Sequence, residues 1–335
     1  MATTVCGWNN IIMPESSAPS KGFPCSLGDS EWNSNAIVLT GISGQVGAAF
    51  SRQLMPGTFR ALSRGELDLD RPETVQSALN QWQPHIVINP AAYTAVDRAE
   101  QEQANAQRIN SDSVAELACW CQKNNALLVQ YSTDYVFDGN KDSPYLETDA
   151  VQPQSVYGQT KNSGEAAVRA SGCPHLILRT SWVAGIPGNN FVKTILRLAQ
   201  TRDTLNVVND QWGSPTAADL IATLSLQLIQ RYRSQQAEPG TYHLTASGAT
   251  TWYHFAVYII EQAQQLGVSL QLAPENIRPV PSSDYPLPAP RPKNSRLNLD
   301  KLKQALNVTA LPSWQEGMDP LITTLCQRLL AGAAL

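Results

Sequence analysis

The sequence has little of what several classes of protein require. Charged residues make up only 16%, with 24 Lys plus Arg against 28 Asp plus Glu, and there is no basic run that could neutralise a phosphate backbone, so we expect no nucleic-acid partner. The four histidines lie at no ligand spacing from one another or from a cysteine pair, which predicts no metal in the chemistry. Since no apolar stretch approaches the ~20 residues that span a bilayer, we expect no membrane partner.

Cysteine is also scarce and widely spaced. The six cysteines are scattered, and Cys119 and Cys121 are two positions apart in a predicted helix, where such side chains do not face each other. This is typical of reduced, buried thiols, and we expect a cytoplasmic protein. Residues 1–35 contain prolines among Ser, Gly and Asn and show no apolar period, which predicts a flexible N-terminal extension. The segment also lacks the basic and apolar regions of a secretory signal.

What the sequence does contain is a regular alternation of short apolar runs and helical patterns. The first run, at 36–40, ends in a glycine and is typical of a strand buried on both faces of a parallel sheet. Val46, Phe50 and Leu54 then recur at helical spacing. The later elements are predicted as strands at 59–62, 85–89, 127–132 and 175–179 and helices at 72–82, 99–124 and 157–171. This alternation predicts an α/β fold with a doubly wound parallel sheet.

The first predicted strand leads into a glycine-rich turn. Gly41, Gly44 and Gly47 have the spacing Gly-x-x-Gly-x-x-Gly at the junction of strand and helix. In dinucleotide sites the first glycine allows a tight turn, the second admits a pyrophosphate and the third lets the helix pack on the strand. An ordinary glycine-rich turn is the alternative, but the position at the first strand-to-helix junction favours a dinucleotide.

The end of the second predicted strand indicates which dinucleotide binds. An NAD site places an acid about 20 residues after the glycine turn, whereas an NADP site places a cation there. Ser63 and Arg64 stand at this position, and a hydroxyl with a guanidinium suits a 2'-phosphate. We therefore expect NADPH, with NADH left open. The alternative is that Arg64 is a solvated charge with Glu66 as its partner.

A tyrosine and a lysine indicate oxidoreductase chemistry. Tyr157 and Lys161 are four residues apart, hence on one face of the helix that follows. Reduction of a carbonyl by hydride needs a proton donor, and a tyrosine of ordinary pKa, ~10, donates reluctantly near neutrality. An exposed ion pair contributes only ~0–1 kcal/mol, so Lys161 must act in a partly desolvated cleft, helped by the positive oxidised nicotinamide. An accidental pair on a solvated helix is the alternative.

Thr133 follows the predicted strand at 127–132 and so falls at the carboxyl edge of the sheet, where ligands of open α/β sheets bind. Its hydroxyl can hold the substrate oxygen beside Tyr157. For the neighbouring Asp134, capping of the following turn is an alternative. Beyond Trp182 the alternation loosens, and the prolines between 279 and 292 predict a long irregular connection. We expect this part to form a smaller lobe over the carboxyl edge.

Together these motifs resemble the extended short-chain dehydrogenase/reductase superfamily. Four further segments resemble the dTDP-4-dehydrorhamnose reductase family within it, and the resemblance runs from about Ile37 to the C-terminus. These segments are Asn-Pro-Ala-Ala-Tyr-Thr-Ala-Val-Asp from Asn89, Arg-Thr-Ser-Trp-Val from Arg179, Asn-Asp-Gln-Trp-Gly-Ser-Pro-Thr from Asn209 and Arg-Pro-Lys-Asn-Ser-Arg-Leu from Arg291. The resemblance implies reduction of the carbon-4 ketone of dTDP-4-dehydro-L-rhamnose by NADPH to dTDP-L-rhamnose, a precursor of cell-surface polysaccharide.

The resemblance also implies a role for each matching residue. Tyr157 would be the proton donor, Lys161 its partner and Thr133 the hydroxyl that tunes the site. The residues implied at the substrate sugar are Val96, Thr133, Asp134 and Trp182, the last packing on the sugar. Those implied at the cofactor are Gly44, Gln45 and Val46 at the pyrophosphate, Asp68 and Leu69 at the adenine, and Ala91, Ala92, Tyr93 and Tyr131 at the nicotinamide half.

The resemblance completes the predicted organisation of the chain. We expect a flexible extension at 1–35, an NADP-binding Rossmann domain at 36–180 and a mainly substrate-binding lobe at 181–335, from which some segments return to the sheet. The chain departs from the family pattern at Pro90, which removes a backbone N–H near the cofactor, and at Trp212, which replaces a smaller residue near the expected pocket mouth.

Two alternatives for the function stay open. One is another nucleotide-sugar reductase, epimerase or dehydratase of the superfamily, although a dehydratase would carry an acid pair beside the threonine and here Tyr135 follows Asp134. The other is a cofactor-binding regulatory subunit without turnover, against which the joint presence of Thr133, Tyr157 and Lys161 argues. The oligomeric state is also open, with a homodimer as one alternative.

Overall fold

The computed structural model describes residues 36–335, so the extension predicted at 1–35 lies outside the described residues. Within them, the strands are β1 (Ile37–Leu39), β2 (Phe59–Ala61), β3 (Ile86–Asn89), β4 (Leu127–Thr133), β5 (His175–Thr180), β6 (Val183–Ala184), β7 (Leu205–Val208), β8 (Trp212–Gly213), β9 (Thr216–Ala217), β10 (Gly240–His243), β11 (Thr250–Thr251) and β12 (Ile277–Val280). The α-helices are α1 (Gln45–Gln53), α2 (Val75–Trp82), α3 (Val96–Ala99), α4 (Gln103–Gln107), α5 (Ser113–Lys123), α6 (Val156–Ser171), α7 (Phe191–Ala199), α8 (Ala218–Arg233), α9 (Trp252–Gln265), α10 (Asp300–Leu306) and α11 (Trp314–Leu330).

The main sheet has six strands in the order β2-β1-β3-β4-β5-β10, and every neighbouring pair is parallel. The predicted α/β fold with a parallel sheet is therefore confirmed. The chain leaves β1 to one side for β2 and returns on the other side for β3. Such a reversal opens a crevice at the carboxyl ends of the two strands, where ligands of doubly wound sheets bind.

Alternate residues of the strands pack into two apolar layers, one on each side of the sheet. In β1, Val38 joins the layer formed with α2 and α5, whereas Ile37 and Leu39 join the layer that contains Phe50 of α1. All three strand residues are at most 1% exposed. The continuous apolar run at 36–40 thus reflects burial on both faces, as predicted.

The helix predicted at 99–124 is wrong in detail. The chain turns between α3 and α4, and a π-helical turn at Arg108–Asp112 joins α4 to α5. The π turn lets Asn110 accept from the Tyr93 backbone N–H at 2.9 Å and donate to Thr160 Oγ1 at 3.2 Å. Side-chain bonds to other elements thus redirect a segment whose sequence pattern alone predicts an uninterrupted helix.

The second half of the chain forms helices α7 to α11 and three two-stranded sheets, β6 with β9, β7 with β12 and β8 with β11. Its apolar residues continue the layer on the α1 side of the main sheet. β10 returns to the main sheet and pairs with β5. No helix among residues 36–335 is both long and apolar enough to cross a membrane.

Candidate active site

A cavity of about 720 Å³ lies at the carboxyl edge of the main sheet. It is bounded by the turn after β1, the chain after β3 and β4, the start of α6 and the segment after β5. Most of the residues that the sequence predicts for the site line it together: Gly41, Gly44, Gln45, Val46, Gly47, Arg64, Asp68, Leu69, Ala91, Ala92, Val96, Tyr131, Thr133, Asp134, Tyr157, Lys161 and Trp182. Ser63 and Tyr93 are not among the lining residues.

The glycine turn has the geometry of an anion cradle. Gly41 has φ of 59°, and a Cβ at this position would lie 2.9 Å from the backbone nitrogen of Ala91, so any side chain would collide with the chain after β3. α1 begins directly after Gly44, with no side-chain cap and no acidic residue in its first turn. The positive end of the helix dipole therefore faces the turn without a neutralising carboxylate, as a phosphate group requires.

The far end of the cavity, after β2, carries exposed ion pairs. The side chain of Arg64 is 74% exposed and its Nε donates to Asp68 at 3.1 Å. Ser63 instead donates both its backbone N–H and its hydroxyl to Glu66, which also pairs with Arg60. In the alternative that makes Arg64 a solvated charge paired with Glu66, the solvated charge is present but the partner is wrong. Asp68 and, at 3.9 Å, Asp70 pair with Arg64, whereas Glu66 is held by Ser63 and Arg60.

Tyr93 contacts its neighbours outside the cavity lining. Its backbone N–H and carbonyl both bond to the side chain of Asn110, and its hydroxyl donates to Glu102 at 2.7 Å. Asn110 also reaches Thr160 on α6. Sequence reasoning missed Asn110, since its role depends on the π turn.

Helix α6 brings Tyr157 against the chain after β4. Ser155 caps the helix by accepting from the Gly158 N–H at 3.2 Å. A Cβ on Gly158 would lie 2.2 Å from the carbonyl oxygen of Tyr135, so only glycine permits this approach. Tyr157 and Tyr135 then meet edge to face, with ring centroids 5.5 Å apart.

The pKa of Tyr157 is raised to about 12. Burial is the largest cause, the negative charge of Asp134 adds to it, and the nearby hydroxyl of Thr133 opposes it. The net shift is upward, so the lowering expected from Lys161 is not produced by these side chains on their own. At neutral pH Tyr157 is a protonated phenol, which is the form that an acid catalyst needs.

Lys161 lies one helical turn beyond Tyr157 and is 4% exposed. Its Nζ donates to the Tyr131 carbonyl at 2.6 Å. Burial lowers the pKa of Lys161 to about 8, against an opposing effect from the carboxylate of Glu165. Glu165 in turn receives two hydrogen bonds from Arg179, at 2.8 and 2.7 Å. The predicted desolvation of Lys161 is thus present.

Thr133 and Asp134 form a buried pair beside Tyr157. Thr133 Oγ1 donates to Asp134 Oδ1 at 3.0 Å and accepts from the Tyr135 N–H at 3.2 Å. Burial raises the pKa of Asp134 to about 6, although hydrogen bonds from Ser295 and Thr133 work against it. The pair places one hydroxyl and one titratable carboxyl at the same end of the cavity.

Two buried hydroxyls at the cavity were missed by the sequence analysis. Thr180 Oγ1 and Ser181 Oγ have no hydrogen-bond partner among the described residues, and both residues line the cavity. A buried hydroxyl without a partner is costly, so a polar ligand is expected to supply one. Both residues directly follow the strand predicted at 175–179, and the strand-end rule that identified Thr133 would have found them.

The two departures from the family pattern occupy different places. Pro90 lines the cavity. Trp212 is 44% exposed and is not among the lining residues.

Within residues 36–335, no group of three or more His, Cys, Asp or Glu side chains could hold a metal ion.

Comparison with known proteins identifies relatives of the whole described region. A family model described as the RmlD substrate binding domain matches residues 35–326. A dTDP-4-dehydrorhamnose reductase of Escherichia coli (strain K12) is 44% identical over 294 residues, which cover 86% of this chain and 97% of that enzyme. These matches span nearly the full length of the relative.

Solved structures agree with the sequence comparison. The crystal structure of a dTDP-4-dehydrorhamnose reductase from Clostridium acetobutylicum has a TM-score of 0.78 at 36% identity, covering 86% of this chain and 99% of that one. The Bacillus anthracis dTDP-4-dehydrorhamnose reductase, solved in complex with NADP, has a TM-score of 0.77 at 34% identity, covering 85% and 97%.

Proposed function

The chain belongs to the dTDP-4-dehydrorhamnose reductase family, and from this premise we propose how its own residues carry out the reaction. It is an NADPH-dependent oxidoreductase that reduces the carbon-4 ketone of dTDP-4-dehydro-L-rhamnose to dTDP-L-rhamnose. One observation supports the assignment of its active site above all others. Tyr157 and Lys161, one helical turn apart, open into the same cavity as the glycine turn after β1.

The residues of the turn fit a dinucleotide. No side chain caps the start of α1, so its free backbone N–H groups and the positive end of its dipole are available to bind a pyrophosphate. The close approach of Gly41 to Ala91 keeps side chains out of this turn. When bound, the reduced nicotinamide supplies the hydride. We assign to the cofactor the lining residues Gly41, Gly44, Gln45, Val46, Gly47, Arg64, Asp68, Leu69, Ala91, Ala92 and Tyr131.

Tyr157 donates the proton to the oxygen formed at carbon 4. Its raised pKa keeps it protonated throughout the neutral range, so the acid is always loaded before substrate arrives. The hydroxyl of Thr133 positions the same oxygen. Because that hydroxyl already donates to Asp134, the bond to the carboxylate must weaken as the bond to substrate forms.

Lys161 lies on α6 one turn after Tyr157 and acts on the same end of the cavity. Its ammonium is fixed by the Tyr131 carbonyl and screened from water, so its positive charge acts strongly on its surroundings. In this position it stabilises negative charge on the phenol during proton transfer and is available to the nicotinamide ribose. Tyr93 supports the same end through its backbone bonds to Asn110.

The sugar end of the cavity, the domain division and the cellular location complete the proposal. Val96, Asp134 and Trp182 form the sugar end of the cavity, where Thr180 and Ser181 provide unpaired hydroxyls. We divide the chain into an NADP-binding domain at 36–180 and a mainly substrate-binding lobe at 181–335, with β10 as the returning segment. We further propose a cytoplasmic location, and a homodimer remains a hypothesis for sedimentation measurements.

A direct assay tests the function. The purified chain is mixed with NADPH and enzymatically prepared dTDP-4-dehydro-L-rhamnose, and the reduced-nicotinamide absorbance is followed while the sugar product is identified. We expect oxidation of NADPH with formation of dTDP-L-rhamnose. Saturable NADPH binding without oxidation would instead indicate a regulatory subunit, and turnover of a different nucleotide sugar alone would move the chain to another activity of the superfamily.

A further inference from the structure

The backbone of Trp182 is in a conformation that bulky residues rarely adopt. Its φ is 49°, in the left-handed region. The conformation is held on its C-terminal side, since the Trp182 carbonyl accepts from the Thr216 N–H at 3.1 Å and the next residue starts β6. Strained backbone of this kind persists only where the surroundings over-determine it, and it is concentrated at functional sites.

One face of the Trp182 indole is covered by Trp252. The two ring centroids are 3.5 Å apart and the planes differ by 9°, so the rings are stacked in full contact. Trp252 begins α9 and is itself fixed, because its Nε1 donates to Gln211 Oε1 at 3.1 Å. Phe191 packs against the Trp252 ring at 4.6 Å.

The other face is covered by the backbone of Gly213. A Cβ on Gly213 would lie 2.4 Å from Cε2, 2.7 Å from Nε1 and 2.8 Å from Cδ2 of Trp182. The nearest atom, Cε2, is bonded to the other two and belongs to the fused bond of the indole, so the approach is over a ring face and not along the edge. A separation of 3.5 Å on the Trp252 side leaves no room for backbone there, hence Gly213 lies on the opposite face.

We propose that Trp252 and Gly213 are positioning residues of the substrate site, which hold the Trp182 indole edge-on to the cavity. The inference rests on the proposed function, and it changes the expected contact. With both faces occupied, Trp182 meets the substrate sugar through the edge of its ring and not by stacking on the sugar face. The sandwich thereby fixes one wall of the cavity that Val96 and Thr133 also line.

The chain order explains how this sandwich forms. Gly213 is in β8 and pairs with Thr250 of β11, and Trp252 follows β11 directly at the start of α9. The two-stranded antiparallel sheet of β8 and β11 therefore positions both Gly213 and Trp252 against the Trp182 ring. A side chain at Gly213 would collide with the Trp182 indole, and a small residue at position 252 would leave one face of that indole uncovered.

The test replaces Trp252 with leucine and with phenylalanine. We expect W252L to raise KM for dTDP-4-dehydro-L-rhamnose about tenfold or more, with kcat within about threefold and the NADPH dissociation constant unchanged. W252F retains a stacking ring and should recover most of the loss. W82L is the matched control, because Trp82 packs on the opposite apolar layer and does not line the cavity; its KM should equal that of the unmodified chain.

Gly213→Ala supplies an independent variant with Trp252 intact. It should raise KM in the same way, and both W252L and G213A should lose the near-ultraviolet circular dichroism of the stacked indoles. An unchanged KM in W252L, or a lower KM, would overturn the proposal, the latter because a freed indole would then bind the sugar better. If W252L fails to fold, G213A decides the matter, and an unchanged KM in G213A overturns the proposal. Absence of turnover in the unmodified chain would instead refute the proposed function, while the dichroism would still report the sandwich.

Discussion

The two ends of the cavity differ in how far their charged groups are removed from water. At the proposed catalytic end, Lys161 and Asp134 are 4% and 3% exposed, and burial shifts the pKa values of both toward neutrality. At the end proposed for the adenosine, the Arg64 side chain is 74% exposed and pairs with Asp68 at the surface. Electrostatic interactions are stronger where water is excluded, so the same chemical change should have large effects at the first end and small ones at the second.

The largest effect is expected for Lys161→Ala. Removing the buried ammonium leaves the Tyr131 carbonyl with Gln130 Nε2 as its donor and removes the charge that we propose favours proton transfer. We expect kcat/KM to fall by at least about 100-fold and NADPH affinity to fall as well, measured by steady-state kinetics and by titration. Lys301→Ala is a matched control, since Lys301 donates to the Thr241 carbonyl away from the cavity. Equal losses in both variants would show general damage and contradict the assignment.

The charge of Lys161 should also set the alkaline limit of activity. Its pKa in the folded chain is about 8, below the ordinary 10.5, so the group loses its proton as pH rises through 8. We expect kcat/KM for NADPH to fall by up to about tenfold for each pH unit above that value. In Lys161→Arg the charge persists at all these pH values, and the fall should vanish. A profile that is flat to pH 10 in the unmodified chain would show that the charge of Lys161 is not required.

A smaller effect is expected at acidic pH. The pKa of Asp134 is raised to about 6, so its carboxylate gains a proton as pH falls through 6 and its bond with Thr133 is altered. We expect kcat/KM for the sugar to decline several-fold from pH 7 to pH 5. Asp134→Asn should remove this acid limb while lowering the plateau. If the limb survives in Asp134→Asn, another group carries it.

The smallest effect belongs to Arg64. An exposed ion pair contributes ~0–1 kcal/mol, so Arg64→Ala should reduce the preference for NADPH over NADH by no more than about fivefold, and by less at high salt. Arg71→Ala is the control, because Arg71 also forms an exposed pair, with Glu73, but does not line the cavity. An unchanged ratio of the two dissociation constants would rule out a contact of Arg64 with the 2'-phosphate.

The contrast between the two ends also explains what could be predicted from the sequence. The sheet, the glycine turn and the spacing of Tyr157 and Lys161 depend on periodicities within short segments, and all were predicted. The partner of Arg64 was not, because Glu66 and Asp68 both lie within four residues of it and only the loop conformation selects Asp68.

Other features depend on contacts between distant segments. The π turn follows from the bonds of Asn110 to Tyr93 and to Thr160. The stack of Trp182 on Trp252 joins residues far apart in the chain. No local sequence pattern predicts the π turn or the tryptophan stack. Thr180 and Ser181, in contrast, could have been predicted from their position at the end of a strand.

The central claim is that Tyr157 gives the proton at carbon 4. The most direct test measures kcat and the NADPH dissociation constant side by side for Tyr157→Phe, which keeps the ring beside Tyr135 and removes only the hydroxyl. We predict a loss in kcat of at least about 100-fold with NADPH affinity essentially unchanged. Normal turnover in Tyr157→Phe would contradict the assignment of Tyr157 as the acid.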